Sequence, residues 1–210
     1  MSTARLDVWA RVRALRLAFA DQVDALGDDE IHAASWCEGW RVREVLGHLV
    51  HLAEATQASM ARDVVHGGVL PDRALDRCAR RLAERPPVEL TSRLRAAADG
   101  RFHVLGSPSV VALGEVLVHG NDALRPLDRA LDGEPADAGA VLDVYVRIGR
   151  LAFHRRQARG VRLAADDLAW AAGSGPEVRG RAVDLLLLLA NRPQVVPALR
   201  GPGTAGLGGR

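Results

Sequence analysis

The segment from Val110 to Leu124 constrains the fold most, because it contains no arginine or lysine over the length of a typical helix. At about 100° per residue, its leucines share one face, while Glu115, His119 and Asp122 fall on the opposite face. The other members of that second face are valine and alanine, so we expect the whole helix to be buried. A buried carboxylate and a buried imidazole require each other, another charged partner or a metal ion. This face is therefore where we expect the chemistry of the protein.

Charge and composition exclude several classes of protein. The 210 residues carry a formal net charge of +2, with acids and bases mixed along the chain, so no basic surface for nucleic acid is predicted. The start of the chain lacks the apolar stretch of a signal peptide, and the longest apolar run, Leu185–Ala190, is too short to cross a bilayer. The two cysteines, Cys37 and Cys78, are far apart and lack zinc-ribbon spacing. We expect a cytoplasmic protein with neither a nucleic-acid nor a membrane partner.

Helical periodicity dominates most of the chain. Long helices are predicted over residues 6–26, 41–65, 110–124 and 138–159, with shorter ones over 73–83 and 88–99. These are enough for a helical bundle. From Gly160 the pattern changes to short strands, turns and a short apolar helix over residues 181–190, and the glycine-rich tail from Gly201 is expected to be disordered. We predict a mainly α protein, with a metal-binding bundle over residues 1–159 and a small α+β C-terminal domain with a flexible tail over residues 160–210.

The second long helix offers histidines to the polar face of the helix at 110–124. His48 lies at the edge of its apolar side, and His51 is turned toward its polar side. Glu115 and His119 are four residues apart, so both side chains can reach one ion. Together with His48 they form a three-ligand set of the kind used by catalytic zinc, which also suits nickel, cobalt, iron or manganese. Asp122 is placed to accept a hydrogen bond from a ligand imidazole, and His51 is the candidate for a fourth ligand.

Spacing alone leaves a second interpretation open. A histidine at the apolar edge of a helix is more often a hydrogen-bonded core residue than a metal ligand, and an E-x-x-x-H pair is a weak signal by itself. Cys37 is interpreted as a small buried residue rather than a nucleophile. The tryptophans are interpreted as packing residues, although Trp36 and Trp40 flank the start of the helix that carries His48.

Two motifs resemble those of a known family. The segment from Trp36 to Leu49, WCEGWRVREVLGHL, is similar to the GW-x-V-x-[DE]-V-x-x-H-L segment of the mycothiol-dependent maleylpyruvate isomerase family. The segment from Leu113 to Asp122, LGEVLVHGND, resembles the family's second motif, E-x-x-x-H-x-x-D. The ending, from Asp167 to Leu186, resembles the small C-terminal domain of many members. The resemblance spans most of the chain, and both bundle motifs stand in the expected order.

This resemblance implies a DinB-like four-helix bundle with a small C-terminal α+β appendage. It also implies that His48, Glu115 and His119 bind one divalent ion, with zinc as the expected metal. Family members studied as enzymes use mycothiol, a low-molecular-weight thiol whose thiolate adds to an electrophile at the metal. An arginine of the C-terminal domain is implied to assist the isomerase, and Arg192 is its candidate counterpart in the shorter C-terminal part of this chain.

The resemblance therefore predicts a metal- and mycothiol-dependent transferase or isomerase that acts on a small electrophile. A metal at an open site lowers the pKa of a bound thiol or water, so the protein needs no cysteine nucleophile of its own. Two alternatives stay open, a hydrolase in which bound water replaces the thiol and a non-catalytic protein that keeps the metal for stability. Maleylpyruvate itself is not implied as the substrate, and the sequence leaves the physiological metal and the oligomeric state open.

Overall fold

The computed structural model describes residues 6–66, 70–148 and 159–207. Its contacts divide the chain into two compact units, Met1–Leu131 and Asp132–Arg210. The helices of the first unit are α1 (Val8–Asp24), α2 (Asp28–Ile31), α3 (Val42–Glu54), α4 (Gln57–His66), α5 (Pro71–Ala83), α6 (Pro87–Ala96) and α7 (Val110–Leu124). None of the described helices is both long enough and apolar enough to span a bilayer.

Helices α1, α3, α6 and α7 form the bundle of the first unit. Both α1 and α3 pack against α6 and α7, and α5 covers a further side of α3. The core is built from the apolar stripe of each helix, and its fully buried members include Phe19, Leu46, Leu49, Leu90, Leu94, Leu113 and Leu117. The segment predicted as a shorter helix over residues 88–99 is therefore a full member of the bundle, because its leucines complete this core.

The single helix predicted over residues 41–65 is wrong, because the structure has two helices there. After α3 ends at Glu54, Ala55 is extended, with φ −63° and ψ 146°. The Ser59 backbone N–H then donates to Thr56 Oγ1 at 3.1 Å, and the Thr56 N–H donates to Ser59 Oγ at 2.9 Å. This reciprocal pair is the pattern of a capping box, so it starts a new helix. The predicted helix end at Gly67 and Gly68 lies outside the described residues.

A close approach between α3 and α5 sets the position of α3 in the bundle. A Cβ atom added to Gly47 would lie 2.6 Å from the backbone oxygen of Ala79, so glycine is the residue that permits this approach. At the start of α3, the Glu44 carboxylate accepts the Arg41 backbone N–H at 2.8 Å. Both features act on the helix that carries His48, so they help to place that histidine.

The second unit is a small α+β fold. Its elements are α8 (Pro135–Ile148), β1 (Arg162–Ala165), β2 (Ala171–Gly173), β3 (Glu177–Gly180) and α9 (Ala182–Leu189). The sheet has the order β2-β1-β3, with β2 antiparallel and β3 parallel to β1. The apolar helix α9 packs against α8, β1 and β3, and its leucines are buried. The predicted strand near residue 162 and the predicted apolar helix are confirmed.

The place of α8 in the second unit differs from the sequence prediction. The division at Leu131 and Asp132 groups α8 with the second unit, whereas we predicted that this helix belongs to the bundle. The rest of that predicted helix, residues 149–158, lies outside the described residues.

The expectation of a disordered tail from Gly201 is wrong as far as Leu207. Arg200 pairs with Arg179 of β3, a 3-10 helix covers Pro202–Gly206, and Leu207 is only 9% exposed. A Cβ atom on Gly203 would lie 2.6 Å from the Pro176 oxygen. The glycines therefore allow a close approach of two backbones here.

Candidate metal centre

Three predicted ligands meet in the first unit. His48 comes from α3, and Glu115 and His119 come from α7. Glu115 Oε2 lies 3.5 Å from His48 Nε2 and 3.4 Å from His119 Nε2, and the three donor atoms all lie within 4.8 Å of one another. Zinc bonds of 2.0–2.1 Å in a tetrahedron hold neighbouring ligand atoms roughly 3.3 Å apart. The residues therefore fit a single divalent ion of this size, with the ligand role itself remaining a prediction.

Asp122 holds the ring of His119 from its other side. Its side chain is fully buried, and its Oδ2 accepts a hydrogen bond from His119 Nδ1 at 3.1 Å. This bond requires the proton on Nδ1, so Nε2 is left to face Glu115. A carboxylate behind a ligand imidazole is the common arrangement of zinc sites, because it sets the tautomer and orientation of the ring.

The protonation of the three groups follows from their surroundings. Burial lowers the pKa of His48, which favours the neutral ring. Burial would raise the pKa of Glu115, but hydrogen bonds with His119 and His48 hold it well below its usual range. Burial would lower the pKa of His119, but hydrogen bonds with Asp122, Cys37 and Glu115 raise it well above its usual value. His119 and Glu115 thus form an ion pair in which a metal ion would take the place of a proton.

A tight loop before α3 covers the two imidazoles with Trp40. The indole centroid lies 5.1 Å from that of His48 and 6.1 Å from that of His119. Gly39 makes the turn with φ +78°, a conformation that favours glycine. The Trp40 Nε1–H donates to Asp76 Oδ1 of α5 at 2.8 Å, which fixes the ring. Trp40 is a packing residue, as predicted, but it packs on the candidate metal ligands.

The same loop brings Cys37 close to the centre, which the sequence analysis missed. The Cys37 thiol, a His119 ring nitrogen and an Asp122 carboxylate oxygen lie within 4.8 Å of one another. Cys37 is only partly buried, contrary to the prediction of a buried residue. The Trp36 backbone N–H donates to the Asp122 carbonyl oxygen at 2.9 Å, so the loop is tied directly to α7. The feature of the sequence that could have indicated this contact is the unusually apolar composition of the loop before α3.

His51 contacts a different group. Its Nε2 lies 3.5 Å from Asp63 Oδ2, and His51, Asp63 and Cys78 each have a potential ligand atom within 4.8 Å of the other two. The structure thus places His51 beside α4 and α5, whereas we predicted it as a fourth ligand or support of the centre. Arg192 belongs to the second unit, where its guanidinium donates to the Ala190 carbonyl oxygen at 2.6 Å. Its catalytic role stays a prediction.

An apolar cavity of about 200 Å³ adjoins the centre. Glu115, whose side chain is 35% exposed, forms part of its wall. The remaining lining residues are Arg16, Leu49, Leu52, Met60, Val64, Leu75, Phe102, His103, Val104, Val111, Ala112 and Val116. Arg16 is another residue that the sequence analysis missed. Its signal was a charged side chain within the apolar stripe of α1, four residues after Val12.

Comparison with known proteins relates both the sequence and the fold to one family. Residues 12–106 match the family model described as the mycothiol maleylpyruvate isomerase N-terminal domain. This range includes His48 and ends before Glu115 and His119. No curated protein sequence matches the chain.

Two similar solved structures are both of mycothiol-dependent maleylpyruvate isomerase. One has a TM-score of 0.60 and 14% sequence identity, and the match covers 94% of this chain and 92% of the chain in that structure. The other, a histidine-to-alanine mutant, has a TM-score of 0.53 and 16% identity over the same shares. The predicted mainly α, DinB-like fold is thus confirmed. The predicted family resemblance is confirmed as well, since residues 12–106 match the family model of the mycothiol maleylpyruvate isomerase N-terminal domain.

Proposed function

We propose that this protein is a metal-dependent enzyme that uses mycothiol to transfer a thiol to, or isomerise, a small electrophile. The observation that carries the proposal is the convergence of His48, Glu115 and His119, of which Glu115 also lines an apolar cavity. The family of residues 12–106 and the printed name of the similar structures support mycothiol as the thiol. We place this chemistry in the cytoplasm, where the two free cysteines, Cys37 and Cys78, would stay reduced.

We propose zinc as the metal, held by His48 Nε2, Glu115 Oε2 and His119 Nε2. Two nitrogens and one oxygen leave a coordination position open, as in catalytic zinc sites. A zinc ion in such a set lowers the pKa of a thiol or water bound to it, which supplies an anionic nucleophile near neutral pH.

The other residues act on this set by orientation and by exclusion of water. Asp122 keeps the Nδ1 proton of His119 in place, so Nε2 stays available as a ligand. Trp40 covers both imidazole rings, and the apolar lining of the cavity keeps the dielectric low beside Glu115. In such surroundings, charges held at the centre would interact more strongly than they would in water.

The ligand set can be tested by elemental analysis of the purified protein. We expect close to one zinc per chain in the wild type and its loss in His48→Ala and His119→Ala. His51→Ala is the matched control, because it removes a histidine of the same helix that contacts Asp63 instead. Full zinc content in folded His48→Ala and His119→Ala would contradict the assignment, and so would equal loss in the His51 variant.

The transfer reaction can be tested by following the loss of free thiol when mycothiol is incubated with a chloro-aromatic electrophile. Isomerisation returns the thiol, so it is tested by following the absorbance of maleylpyruvate in the presence of mycothiol. We expect turnover that requires both metal and thiol and that disappears in His119→Ala. Turnover without any thiol would contradict the proposal and favour the hydrolase alternative. A chelator that lowers the melting temperature while no substrate turns over under any condition would favour a structural role for the metal.

A further inference from the structure

His51, Asp63 and Cys78 form a second cluster of potential metal ligands, which shares no residue with the candidate metal centre. The three side chains come from α3, α4 and α5, so they belong to three different helices. Each has a potential ligand atom within 4.8 Å of the other two. An imidazole, a carboxylate and a thiol therefore meet where one ion can contact all three.

The histidine of this cluster has a buried nitrogen that lacks a partner. The His51 side chain is 11% exposed, and its Nε2 is buried without a hydrogen bond to any described residue. The 3.5 Å from this atom to Asp63 Oδ2 is long for a hydrogen bond, but it is close to the roughly 3.3 Å between neighbouring ligand atoms around a tetrahedral zinc ion. A metal ion would satisfy the nitrogen and the carboxylate together, which removes the cost of an unpaired buried group.

The charges of the cluster suit a divalent ion. Burial lowers the pKa of His51, which favours the neutral ring that a metal requires. Burial raises the pKa of Cys78, so the thiol keeps its proton until an ion displaces it. A divalent ion would then form a set without net charge, because the Cys78 thiolate and the Asp63 carboxylate each contribute one negative charge. A neutral set of this kind costs less to bury than an isolated charge.

Helix α4 would gain most from such an ion. No residue of α4 is fully buried, so little apolar surface holds this helix against its neighbours. Met60 and Val64 of α4 nevertheless form part of the wall of the apolar cavity. Because Asp63 is adjacent to Val64 in the chain, an ion held by Asp63 would also hold this part of the wall.

From this geometry we infer that His51, Asp63 and Cys78 bind a second divalent ion of the zinc class, which fixes α4 against α3 and α5. A thiolate and an imidazole select zinc or cobalt over magnesium and calcium, which prefer oxygen ligands. The site is weaker than the first centre, because the positive charges of Arg77 and Arg81 act on it and its ion must displace a thiol proton. The purified protein therefore keeps one ion, and the second site fills when metal is added.

The test is a titration of the purified full chain with cobalt(II), followed by absorption spectroscopy, with a phosphine rather than a thiol as the reductant. A thiolate bound to cobalt gives an intense charge-transfer band in the near ultraviolet. The first centre offers two imidazoles and a carboxylate, which give only weak visible bands. We expect the charge-transfer band in the wild type, saturating with a single added cobalt ion per chain, and also in His48→Ala. Absence of the band from the wild type would overturn the inference.

Three variants identify the ligands. Cys78→Ser has nearly the same size and should lose the band. Cys37→Ser is the matched control and should keep it, because Cys37 lies beside His119 at the first centre instead. Asp63→Asn should require more cobalt for the same band, and it applies even when Cys78→Ser does not fold, because α4 has no fully buried residue. A band that survives in folded Cys78→Ser, disappears in Cys37→Ser or forms unchanged in Asp63→Asn would overturn the inference.

The effect on α4 is measured by amide hydrogen exchange in His48→Ala, which lacks a proposed ligand of the first centre. Free zinc at about 100 times its dissociation constant should slow the exchange of the α4 amides by about 100-fold, because α4 must leave the ion before it can open. Asp63→Asn in the same background should remove this effect. Equal exchange of α4 with and without zinc would overturn the inference. Because the two sites share no ligand, this result is independent of the activity assays, and the two proposals can fail separately.

Discussion

Asp122→Asn offers the sharpest test of how the bundle supports its candidate metal centre. The carboxylate is fully buried and its Oδ2 lies 3.1 Å from His119 Nδ1, so it is the group that fixes the ring of a proposed ligand. An asparagine has nearly the same shape and keeps one oxygen acceptor, but it loses the negative charge. The change therefore removes the charge that strengthens the hydrogen bond to His119 while it preserves packing.

The expected loss follows from the role of such carboxylates in known metal sites. Removal of a carboxylate behind a ligand histidine costs about 10- to 100-fold in metal affinity. This corresponds to roughly 1.4 to 2.8 kcal/mol of binding free energy. Because Asp122 has no exposure to water, solvent does not screen its charge, and we expect its loss to cost a value in the upper half of this range.

The assay is a competition for zinc against a chromophoric chelator at constant pH, with circular dichroism to confirm folding. Asn121→Ala is the matched control, because Asn121 is equally buried and adjacent in sequence but bonds to Leu117 and Leu131 instead of His119. We expect this control to lose stability, by about 1 to 3 kcal/mol for the unpaired backbone groups, and to retain metal affinity. Wild-type affinity in Asp122→Asn would refute the reasoning, as would an equal loss in both variants.

Three further changes test the packing and the pH dependence. Gly47→Ala should lower the free energy of unfolding by about 1 to 3 kcal/mol, measured in urea titrations, because the new Cβ would meet the Ala79 oxygen at 2.6 Å. Gly206→Ala is the control, because a Cβ atom there would meet open space. Burial lowers the pKa of His51 in the folded protein. Below about pH 6.5 the unfolded chain therefore takes up a proton more readily than the folded chain, and the free energy of unfolding decreases as the pH is lowered. His51→Asn should reduce the slope of the free energy of unfolding against pH by at most about 1.4 kcal/mol per pH unit. Equal slopes in the wild type and the variant between about pH 5 and 7 would contradict this. Leu207→Ala should lower the melting temperature, at a cost of about 2 kcal/mol, whereas a disordered tail would leave it unchanged.

Local periodicity explains why much of the centre could be predicted. Glu115, His119 and Asp122 lie on one side of α7 in any helix of this sequence, because their spacing of three and four residues sets their angular positions. The same periodicity placed His48 at the edge of the buried side of α3. The two family motifs then supported the prediction of the family and of a bundle. Each motif could be recognised because its residues are close together in the chain.

Other features were not predicted from the periodicity, most of them because they depend on contacts between segments far apart in sequence. The break between α3 and α4 was missed although Thr56 and Ser59 carry its signal, because the apolar periodicity continues across it. The neighbours of His51 could not be predicted, because Asp63 and Cys78 come from two other helices. Membership of α6 in the bundle likewise depends on its packing against α1 and α3.

The sequence alone thus determined the helical class, the polar face of α7 and the histidine most suited to meet it, since each follows from positions along one helix. Only the tertiary structure decided that His48, Glu115 and His119 approach to within the span of one ion, because the rotation and distance of α3 and α7 are set by core packing. The tertiary structure also decided that Arg16 and Glu115 line one cavity. A cavity is the space that several helices leave between them, and no single segment of sequence encodes it.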